Sequence, residues 1–348
     1  MAKLRIALAG AGLIGRRHAE LIRDSAECEL AAVVDPAPGA VAFAQEAGVP
    51  RYTRLAELFA QAHPDGVILA TPNQLHAEQA LQCIDANVAV LLEKPVAHTV
   101  AAGNTLLGAV ERTHARVLVG HHRRHSAIMA RAREIVQAGT LGPLVAVMGS
   151  ALFYKPDSYF DDAPWRRQAG GGPVLINMIH EIDNLRSLCG EIAAVQAFAS
   201  NATRGFPVED TVAIGLRFAG GALGTFMLSD TAASPRSWEQ TSGENKAYAR
   251  YPDEDCYVIA GTMGSLAVPS MRLKVYPRAD ARSWWKPFKT GVAELVVADP
   301  LERQLAHFCA VIRGEAAPLV TVRDGLANLR VTEAIAEAAR TGAVVRTD

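Results

Sequence analysis

Residues 4–15, which read LRIALAGAGLIG, decide the fold of this 348-residue chain. The apolar run at residues 4–9 is typical of a buried β-strand, and a helix-like stretch follows the glycines. Gly10, Gly12 and Gly15 give the spacing GxGxxG. In this spacing the first glycine permits a tight turn, the second lets the backbone approach a pyrophosphate, and the third lets the helix pack closely on the strand. The stretch therefore predicts the first strand, turn and helix of a dinucleotide-binding sheet.

Apolar runs and helix-like stretches alternate through the next part of the chain. The predicted strands are residues 30–34, 67–70, 89–92 and 116–119, and the predicted helices are residues 15–24, 40–47, 76–86 and 100–113. Nearly continuous apolar strands separated by helices indicate a parallel sheet that is covered on both faces. We therefore predict a doubly wound α/β domain, a Rossmann domain, over residues 1–122.

The pattern changes after Gly120. Helices are predicted at residues 127–138, 173–189, 301–313 and 322–340, strands at residues 144–150, 193–199, 211–218, 224–230, 257–260, 265–268 and 272–275, and a polar excursion at residues 234–255. Strands that follow one another without helices favour an antiparallel sheet. Residues 123–348 are therefore predicted to form an α+β domain with a large, mostly antiparallel open sheet.

The composition is that of an ordinary globular protein, with 50% hydrophobic and 20% charged residues. A formal net charge of −1 gives no bulk attraction to nucleic acid or to an anionic membrane. The five cysteines form no CxxC pair, which favours reduced thiols in a cytoplasmic protein, and no metal site is predicted. No apolar run reaches the roughly 18 residues of a membrane span.

Asp35 ends the second predicted strand, at about the 20-residue distance from the glycines that dinucleotide-binding proteins use for an acidic residue. A carboxylate there accepts hydrogen bonds from the adenosine ribose and would repel a 2′-phosphate. Residues 36–39 contain no arginine that would bind such a phosphate. Leu13 and Ile14 lie in the first turn of the predicted helix, where backbone N–H groups bind a pyrophosphate. The sequence therefore predicts NAD as the cofactor, with NADP the less favoured dinucleotide.

A second loop is predicted to line the cofactor. Thr71, Pro72 and Asn73 come directly after the strand at residues 67–70, and ligands of doubly wound sheets lie beyond the carboxyl ends of the strands. His76 begins the next helix and is a further candidate cofactor contact, with a capping or packing role as the alternative.

Glu93 and Lys94 follow the strand at residues 89–92 and lie at the same end of the predicted sheet, so both are candidate cofactor contacts. A partly desolvated ammonium near a cationic nicotinamide ring is shifted towards neutrality. That property suits a group that polarises a hydroxyl or relays its proton. A surface lysine after a strand is the alternative interpretation.

A second cluster of polar residues lies within residues 170–183, which read GGGPVLINMIHEID. On the predicted helix Asn177, His180, Asp183 and Asn184 share one face of an otherwise apolar segment. Burying an amide, an imidazole and carboxylates is unfavourable unless they are paired, so a ligand cleft is the simpler explanation. A histidine satisfied inside the core is the alternative.

Cationic residues follow the last strand of the first domain, where residues 120–125 read GHHRRH. Arg123 and Arg124 there would favour a carboxylate, a uronic acid or a phosphate through bidentate contacts. A solvated basic turn is the alternative. Trp165 and Arg166, just before the triple glycine, are candidates for a stacking wall and a second clamp on the substrate.

Taken together, these motifs resemble the Gfo/Idh/MocA oxidoreductases, which include glucose-fructose oxidoreductase and inositol dehydrogenase. The similar stretches are GAGLIG (10–15), VVD (33–35), ATPNQLHAEQA (70–80), EKPVA (93–97), the GGG-led helix with its histidine, IAGTMGSLAV (259–268) and PLVTVRDGLANLRVTEAIAEAA (318–339). The resemblance implies that Lys94 touches substrate and nicotinamide, and that His180 is the acid/base that exchanges the hydroxyl proton. It also implies that Pro95 follows a cis peptide bond.

One position departs from the family pattern. Many members have an aspartate four residues before the histidine, where this chain has Ile176. Asn177, the next residue, has an amide and cannot act as a base. Asp183 is placed to hold His180 but does not replace the aspartate. The resemblance therefore extends to a lysine–histidine pair and not to a lysine–aspartate–histidine triad.

The resemblance implies an NAD(P)-dependent oxidoreductase that acts on a hydroxyl or carbonyl of a sugar, a cyclic polyol or a related, possibly acidic, small molecule. A dihydrodiol or hydroxy-acid dehydrogenase is the alternative enzyme. A non-catalytic, NAD-binding regulatory protein is the alternative of another class, suggested by Ile176. The resemblance also implies that residues 123–348 serve substrate binding and oligomerisation. A homodimer or homotetramer built through the C-terminal sheet is therefore expected, with no nucleic-acid or membrane partner.

Overall fold

The computed structural model describes residues 2–347. Contacts divide the chain into two compact units, which we call the first unit (Met1–His125 with Pro300–Leu329) and the second unit (Ser126–Asp299 with Arg330–Asp348). This division differs from the predicted one at residue 122 because residues 300–329 pack with the first unit.

Fifteen strands and eleven α-helices are described between residues 2 and 347. The strands are β1 (Leu4–Ala9), β2 (Cys28–Val34), β3 (Arg51–Tyr52), β4 (Gly66–Leu69), β5 (Ala89–Leu92), β6 (Val117–Val119), β7 (Leu144–Leu152), β8 (Ile192–Ser200), β9 (Thr211–Phe218), β10 (Leu223–Ser229), β11 (Tyr257–Gly261), β12 (Gly264–Val268), β13 (Arg272–Val275), β14 (Lys289–Val292) and β15 (Val345–Arg346). The helices are α1 (Leu13–Asp24), α2 (Gly39–Glu46), α3 (Leu55–Gln61), α4 (Asn73–Asp85), α5 (Val100–Thr113), α6 (Ala127–Gln137), α7 (Asp157–Asp161), α8 (Ile179–Cys189), α9 (Trp238–Ser242), α10 (Pro300–Arg313) and α11 (Val322–Thr341).

The first unit contains a parallel sheet of six strands in the order β3-β2-β1-β4-β5-β6. Every residue of β4 and β5 is buried, as expected for strands covered on both faces. The strand order reverses between β1 and β4, which is the switch point where doubly wound sheets bind their ligands. The predicted Rossmann sheet is confirmed.

Helix α10 supplies part of the core of the first unit. Its Leu305, Phe308, Cys309 and Ile312 recur at helical spacing and pack in one cluster with residues of the central strands such as Ile68. The closing helix was predicted at these residues, but its apolar face alone did not show which domain it covers.

The second unit contains a nine-stranded sheet in the order β14-β13-β12-β11-β7-β10-β9-β8-β15. All neighbours are antiparallel except β7 and β10, which are parallel. Its core buries Ile135 of α6, Ile182 of α8 and Ile335 of α11 against one face of the sheet. The predicted large, mostly antiparallel sheet is confirmed.

The helix predicted at residues 173–189 has an irregular first turn. Residues Val174–Met178 form a π-helical turn, and the regular helix α8 begins at Ile179. Such turns insert one residue into the helical repeat and are frequent at functional sites. The predicted excursion at residues 234–255 is irregular apart from α9, which buries Trp238. Within residues 2–347 no helix is long and apolar enough to cross a bilayer.

Candidate active site

The glycine turn of the first unit has the geometry that a nucleotide-binding loop requires. Gly10 has a φ of +92°, and a Cβ atom on it would lie 2.5 Å from the carbonyl oxygen of Ala70. A Cβ atom on Gly15 would lie 1.9 Å from the carbonyl oxygen of Gly10. A side chain at either position would therefore push α1 away from the sheet.

Gly12 and Asp35 fit the two ends of an adenosine diphosphate group. No atom lies within 4 Å of the place where a Cβ on Gly12 would be, so the backbone before α1 borders open space. Asp35 Oδ2 accepts the backbone N–H of Ala11 at 2.7 Å, and its Oδ1 accepts that of Ala37 at 2.8 Å. These bonds fix the carboxylate beside the turn. The loop therefore fits a pyrophosphate at the first turn of α1, formed by Leu13 and Ile14, and a ribose at Asp35.

Two arginines near Asp35 were not found from the sequence as part of this site. Arg51 of β3 donates from Nε to the backbone oxygen of Asp35 at 2.9 Å. Arg16 of α1 donates from Nε to the oxygen of Ala11 at 3.1 Å. Residues 36–39 contain no arginine, whereas the parallel pairing of β2 with β3 brings Arg51 in from a later part of the chain.

Glu93 holds the segment around Lys94 in place. His18 Nε2 of α1 lies 2.8 Å from Glu93 Oε1, and both side chains are buried. Burial alone would raise the pKa of Glu93, but the bond and charge of His18, with the charges of Lys94 and His122, outweigh it and hold that pKa below its ordinary value. Glu93 is therefore a positioning residue within the protein, and the half-buried Lys94 is the group at this strand end that can reach a ligand.

His76 connects the two loops at the carboxyl ends of β4 and β5. Its Nδ1 lies 2.7 Å from the oxygen of Pro95 and its Nε2 lies 2.8 Å from the oxygen of Thr71. Burial lowers the pKa of this histidine, although the two carbonyls oppose the change. Both ring nitrogens thus face backbone carbonyls, which supports the packing alternative for His76, while its contact with the cofactor stays a prediction. The Lys94–Pro95 peptide bond is cis, as the resemblance implied.

The cofactor loop before His76 is open to ligands. Thr71 and Asn73 are half-buried and Pro72 is exposed at the carboxyl end of β4. Their placement agrees with the predicted position at the end of the strand, while contact with the cofactor stays a prediction.

The basic segment after β6 is mostly internal. His122–His125 forms a short 3₁₀ turn, in which Arg123 and His125 are buried and Arg124 is half-buried. Burial, followed by the charges of His307, His122 and neighbouring arginines, lowers the pKa of His125 to about 3. The alternative of a solvated basic turn is therefore wrong for Arg123, and the burial of this arginine also weakens its candidacy as a substrate clamp.

The polar stripe on the histidine helix of the second unit is divided between two environments. Asn184 is fully buried and donates from Nδ2 to Tyr257 Oη at 2.9 Å, while the Tyr257 hydroxyl donates to Glu181. Asn184 therefore lies in the core, although its Oδ1 has no hydrogen-bond partner within residues 2–347. His180 is 9% exposed and Asp183 is 1% exposed, which places Asp183 inside the helix packing.

Asn177 is held by a lysine that the sequence pattern did not single out. Lys155 Nζ donates to Asn177 Oδ1 at 2.8 Å. Arg166 stacks on Tyr159, and Trp165 is more than half exposed. An alternating strand pattern locates Lys155 just after β7 but does not show that β7 and the π-helical turn lie side by side, and this neighbour was missed for that reason.

The glycine turn, the acidic strand end and the doubly wound sheet define a nucleotide-binding oxidoreductase. The model of the oxidoreductase family with an NAD-binding Rossmann fold matches residues 4–121, and the GFO/IDH/MocA C-terminal domain matches residues 129–267. The chain belongs to the Gfo/Idh/MocA oxidoreductase family.

Several relatives match nearly the whole chain. It is 26% identical to the rhizopine catabolism protein MocA of Rhizobium meliloti, over 97% of this chain and 95% of that protein. It is 28% identical to the 1,5-anhydro-D-fructose reductase of Ensifer adhaerens, over 86% of this chain and 85% of that protein. The WlbA dehydrogenase of Chromobacterium violaceum, solved with NADH and UDP-GlcNAcA, has a TM-score of 0.79 at 25% identity, over 99% of this chain and 96% of that one.

The His18–Glu93 bond is open to a direct test. His18→Ala leaves the Glu93 carboxylate buried without its imidazole partner, and we expect unfolding by denaturant at neutral pH to lose about 2–4 kcal/mol. Arg17→Ala is the matched control, because Arg17 pairs with Glu20 on the exposed side of the same helix. Its expected change is within about 0.5 kcal/mol. Equal losses in the two variants would show that His18 does not hold Glu93.

Proposed function

We propose that the protein is an NAD-dependent dehydrogenase or reductase that acts on a CH–OH group of a sugar, a cyclic polyol or a related, acidic small molecule. Oxidoreductases of its family act on sugars and polyols, as the names of its relatives indicate. The single observation that supports the proposal most is the buried bond between His18 and Glu93, which fixes Lys94 at the carboxyl end of β5.

The bound nicotinamide would accept or supply the hydride. In the proposal Lys94 donates a hydrogen bond to the reacting oxygen and lowers the energy of its charged form. His180 takes the hydroxyl proton during oxidation and returns it during reduction. Because Ile176 has no ionisable group, no carboxylate at that position assists the histidine.

Two alternatives have their own supporting features. The half-buried Arg124 would suit a dihydrodiol or hydroxy-acid dehydrogenase, since a guanidinium binds a carboxylate in a bidentate manner. Ile176, placed where many family members have an aspartate, would suit an NAD-binding regulatory protein without turnover. Formation of NADH from any substrate separates both enzymes from the regulator.

The cofactor is proposed to be NAD rather than NADP. The Asp35 carboxylate is fixed by two backbone N–H groups, so it cannot swing away from a 2′-phosphate without losing both bonds. Arg51 and Arg16 lie near, but each has its Nε committed to a backbone oxygen. We infer the preference from the fixed carboxylate of Asp35, which would accept the ribose hydroxyls and repel a 2′-phosphate, while both guanidinium groups keep their positive charge.

The cofactor preference is tested by changing the charge at the end of β2. We expect NADH to bind at least about tenfold more tightly than NADPH, since repulsion of about 1.4 kcal/mol suffices for that ratio. The double change Asp35→Ser with Pro36→Arg should narrow or reverse the ratio. Fluorescence titration of both nucleotides measures it, and Asp24→Ser is the control on an exposed acidic residue of the same unit. Equal affinities in the unaltered protein would contradict the proposal.

The role of His180 is tested by the pH dependence of turnover. His180→Asn should lower kcat by about 10² to 10⁴, as expected on losing a general base. The acidic limb of the pH–rate profile should disappear with it, because a base must be unprotonated to accept the hydroxyl proton. An acidic limb that persists in His180→Asn would show that another group takes the proton.

The role of Lys94 is tested by removing its ammonium. Lys94→Ala should lower kcat by about 10² and leave the affinity for NADH within a few-fold of the unaltered protein. Unchanged turnover in Lys94→Ala would show that Lys94 does not act on the reacting oxygen.

We also propose that the protein is a homodimer or homotetramer built through the open face of the nine-stranded sheet. Met148 of β7, Phe198 of β8 and Met227 of β10 point to the same face, as the strand register shows. Phe198 is 72% exposed and Met148 is 60% exposed. Exposed apolar side chains grouped on one face are typical of a subunit interface.

Light scattering at micromolar concentration tests this interface. Met148→Glu combined with Phe198→Glu should convert the oligomer to smaller species, because burying two carboxylates in an apolar contact is strongly unfavourable. Trp285→Glu, in an exposed loop outside the sheet face, should leave the mass unchanged. A monomeric unaltered protein, or a double variant with unchanged mass, would contradict the proposal.

A further inference from the structure

Lys155 and Asp230 lie together just beyond the carboxyl ends of two neighbouring strands of the nine-stranded sheet. Lys155 comes shortly after β7 and Asp230 directly after β10, and these two strands are parallel neighbours. The carboxyl ends of parallel strands lie at the same edge, and here the backbone N–H of Lys155 donates to the backbone oxygen of Asp230 at 2.8 Å. The chain thus places a lysine and an aspartate side by side beneath the π-helical turn that contains Asn177.

The buried carboxylate of Asp230 pairs with two cations at these strand ends. Lys155 Nζ lies 3.4 Å from Asp230 Oδ2, and Arg204 Nε donates to Asp230 Oδ1 at 3.1 Å. The side chains of Lys155 and Asp230 are 10% and 3% exposed. The negative charge of Asp230 is therefore divided between an ammonium and a guanidinium.

Arg166 adds a third cation to the same cluster. The ring of Tyr159 contacts both Lys155, whose Nζ is 4.8 Å from the ring centroid, and Arg166, whose Cζ is 3.8 Å from it. Arg166 also donates to the backbone oxygen of Tyr159 at 2.6 Å. Within residues 2–347 no carboxylate pairs with Arg166, and its buried Nε has no hydrogen-bond acceptor. An aromatic ring attracts a cation but does not neutralise its charge.

The surroundings of Lys155 disfavour its protonated form. Burial lowers the pKa of Lys155 to about 8 although Asp230 opposes the change, and the charges of Arg166 and Arg204 lower it further. Burial also raises the pKa of Glu209, with a smaller contribution from Asp230.

The charged and titratable groups that face this ammonium are Asp230, Arg204, Arg166, Glu209 and Tyr159. Lys155, Arg166 and Arg204 are the three cations of this cluster, and its carboxylates are Asp230, Glu209 and the buried Asp210, whose Oδ2 accepts the backbone N–H of Arg204. Asp157 lies 3.7 Å from Arg204, but its side chain is 87% exposed and water screens it.

Asn177 adds hydrogen-bond donors to this cluster of cations. Its Oδ1 accepts from Lys155, so its Nδ2 group is turned away from the ammonium. Lys155, Arg166 and the Nδ2 group of Asn177 are all donors. A ligand that meets these three side chains must therefore bring hydrogen-bond acceptors, and Arg166, which pairs with no carboxylate within residues 2–347, favours a charged acceptor.

We propose that Lys155, Arg166 and Asn177 form a subsite that binds a carboxylate group of the substrate. The substrate is then a sugar acid or a hydroxy acid rather than a neutral polyol. A carboxylate supplies one negative charge and two acceptor oxygens in a plane, which matches a guanidinium and an ammonium better than a neutral hydroxyl does. This inference rests on the proposed function, since it assigns the substrate class of the same enzyme.

Calorimetric titration of the NADH-loaded protein with matched pairs tests the subsite. The pairs are D-glucuronate with D-glucose, D-galacturonate with D-galactose, and L-tartrate with L-threitol, and D-glucose 6-phosphate tests for a general anion site. We expect at least one acid to bind about tenfold more tightly than its neutral partner and than the phosphate. Equal affinities within every pair, absence of binding by all the acids, or tighter binding of the phosphate would overturn the proposal.

Substitutions of Lys155 and Arg166 test whether these two side chains cause the preference for acids. Lys155→Met and Arg166→Met should each weaken binding of the preferred acid about tenfold and leave its neutral partner within about threefold. Because Asp230 keeps Arg204 as its partner, Lys155→Met leaves no isolated buried carboxylate, and Lys155→Arg should keep most of the acid affinity. Lys246→Met, on an exposed lysine of the same unit, should change neither the affinity for the acid nor that for its neutral partner. Undiminished acid binding in Lys155→Met would overturn the proposal.

The pH dependence of binding separates a charge effect from a packing effect. A carboxylate binds the protonated ammonium, so acid affinity should fall as the pH rises above about 8 in the unaltered protein and in Lys246→Met. In Lys155→Arg the affinity should stay level over the same range. If acids bind through Lys155 but no NADH forms, the subsite stands and the proposed hydride transfer fails. If neutral polyols turn over and Lys155→Met has no effect, the hydride transfer stands and the subsite fails.

Discussion

The hydrogen bond between His18 and Glu93 is the contact on which the arrangement of the first unit depends. His18 lies on the helix that begins at the glycine turn, and Glu93 directly follows strand β5. The bond therefore ties the element expected to bind the pyrophosphate to the residue before Lys94. Because Glu93 is buried and its pKa is held below the ordinary value, the segment is anchored by charge as well as by packing. His76 makes a second tie between Thr71 and Pro95, so three separate loops form one frame.

Much of this unit could be predicted from the sequence because its signals are local. The glycine spacing, the apolar strands and the acidic residue at Asp35 each depend on a few adjacent residues. The strand β3 has two residues and no apolar pattern, so it was missed, and the neighbouring Arg51 was missed with it. His18 could have been noticed as a histidine on the helix after the glycines, but nothing in the sequence shows that Glu93 faces it.

The second unit shows a different limit of sequence reasoning. The polar stripe of the histidine helix was predicted as one face, yet the π-helical turn at Val174–Met178 changes the helical repeat within it. Asn184 therefore joins Tyr257 in the core, whereas Asn177 faces Lys155. A wider turn has no signature in a pattern of apolar residues. The cluster around Lys155 depends on pairing between strands that are distant in the sequence, which periodicity does not reveal.

The charges around Lys155 are relevant to Ile176, the position at which this chain departs from the family pattern. Ile176 has an apolar side chain without an ionisable group, and the next residue, Asn177, accepts a hydrogen bond from Lys155. With a carboxylate bound in the proposed subsite, the acidic group of the substrate would contact Lys155, Arg166 and Asn177, while His180 would exchange the hydroxyl proton.

The central claim is that the protein moves hydrogen directly between a substrate carbinol and NAD. Polyols, aldoses, uronic acids and hydroxy acids are incubated with the protein and NAD⁺, and formation of NADH is followed by absorbance. The best substrate is then prepared with deuterium on its carbinol carbon. We expect the deuterium to appear at C4 of the nicotinamide ring of the NADH formed. Tight binding of NADH without NADH formation from any member of the panel would contradict the claim.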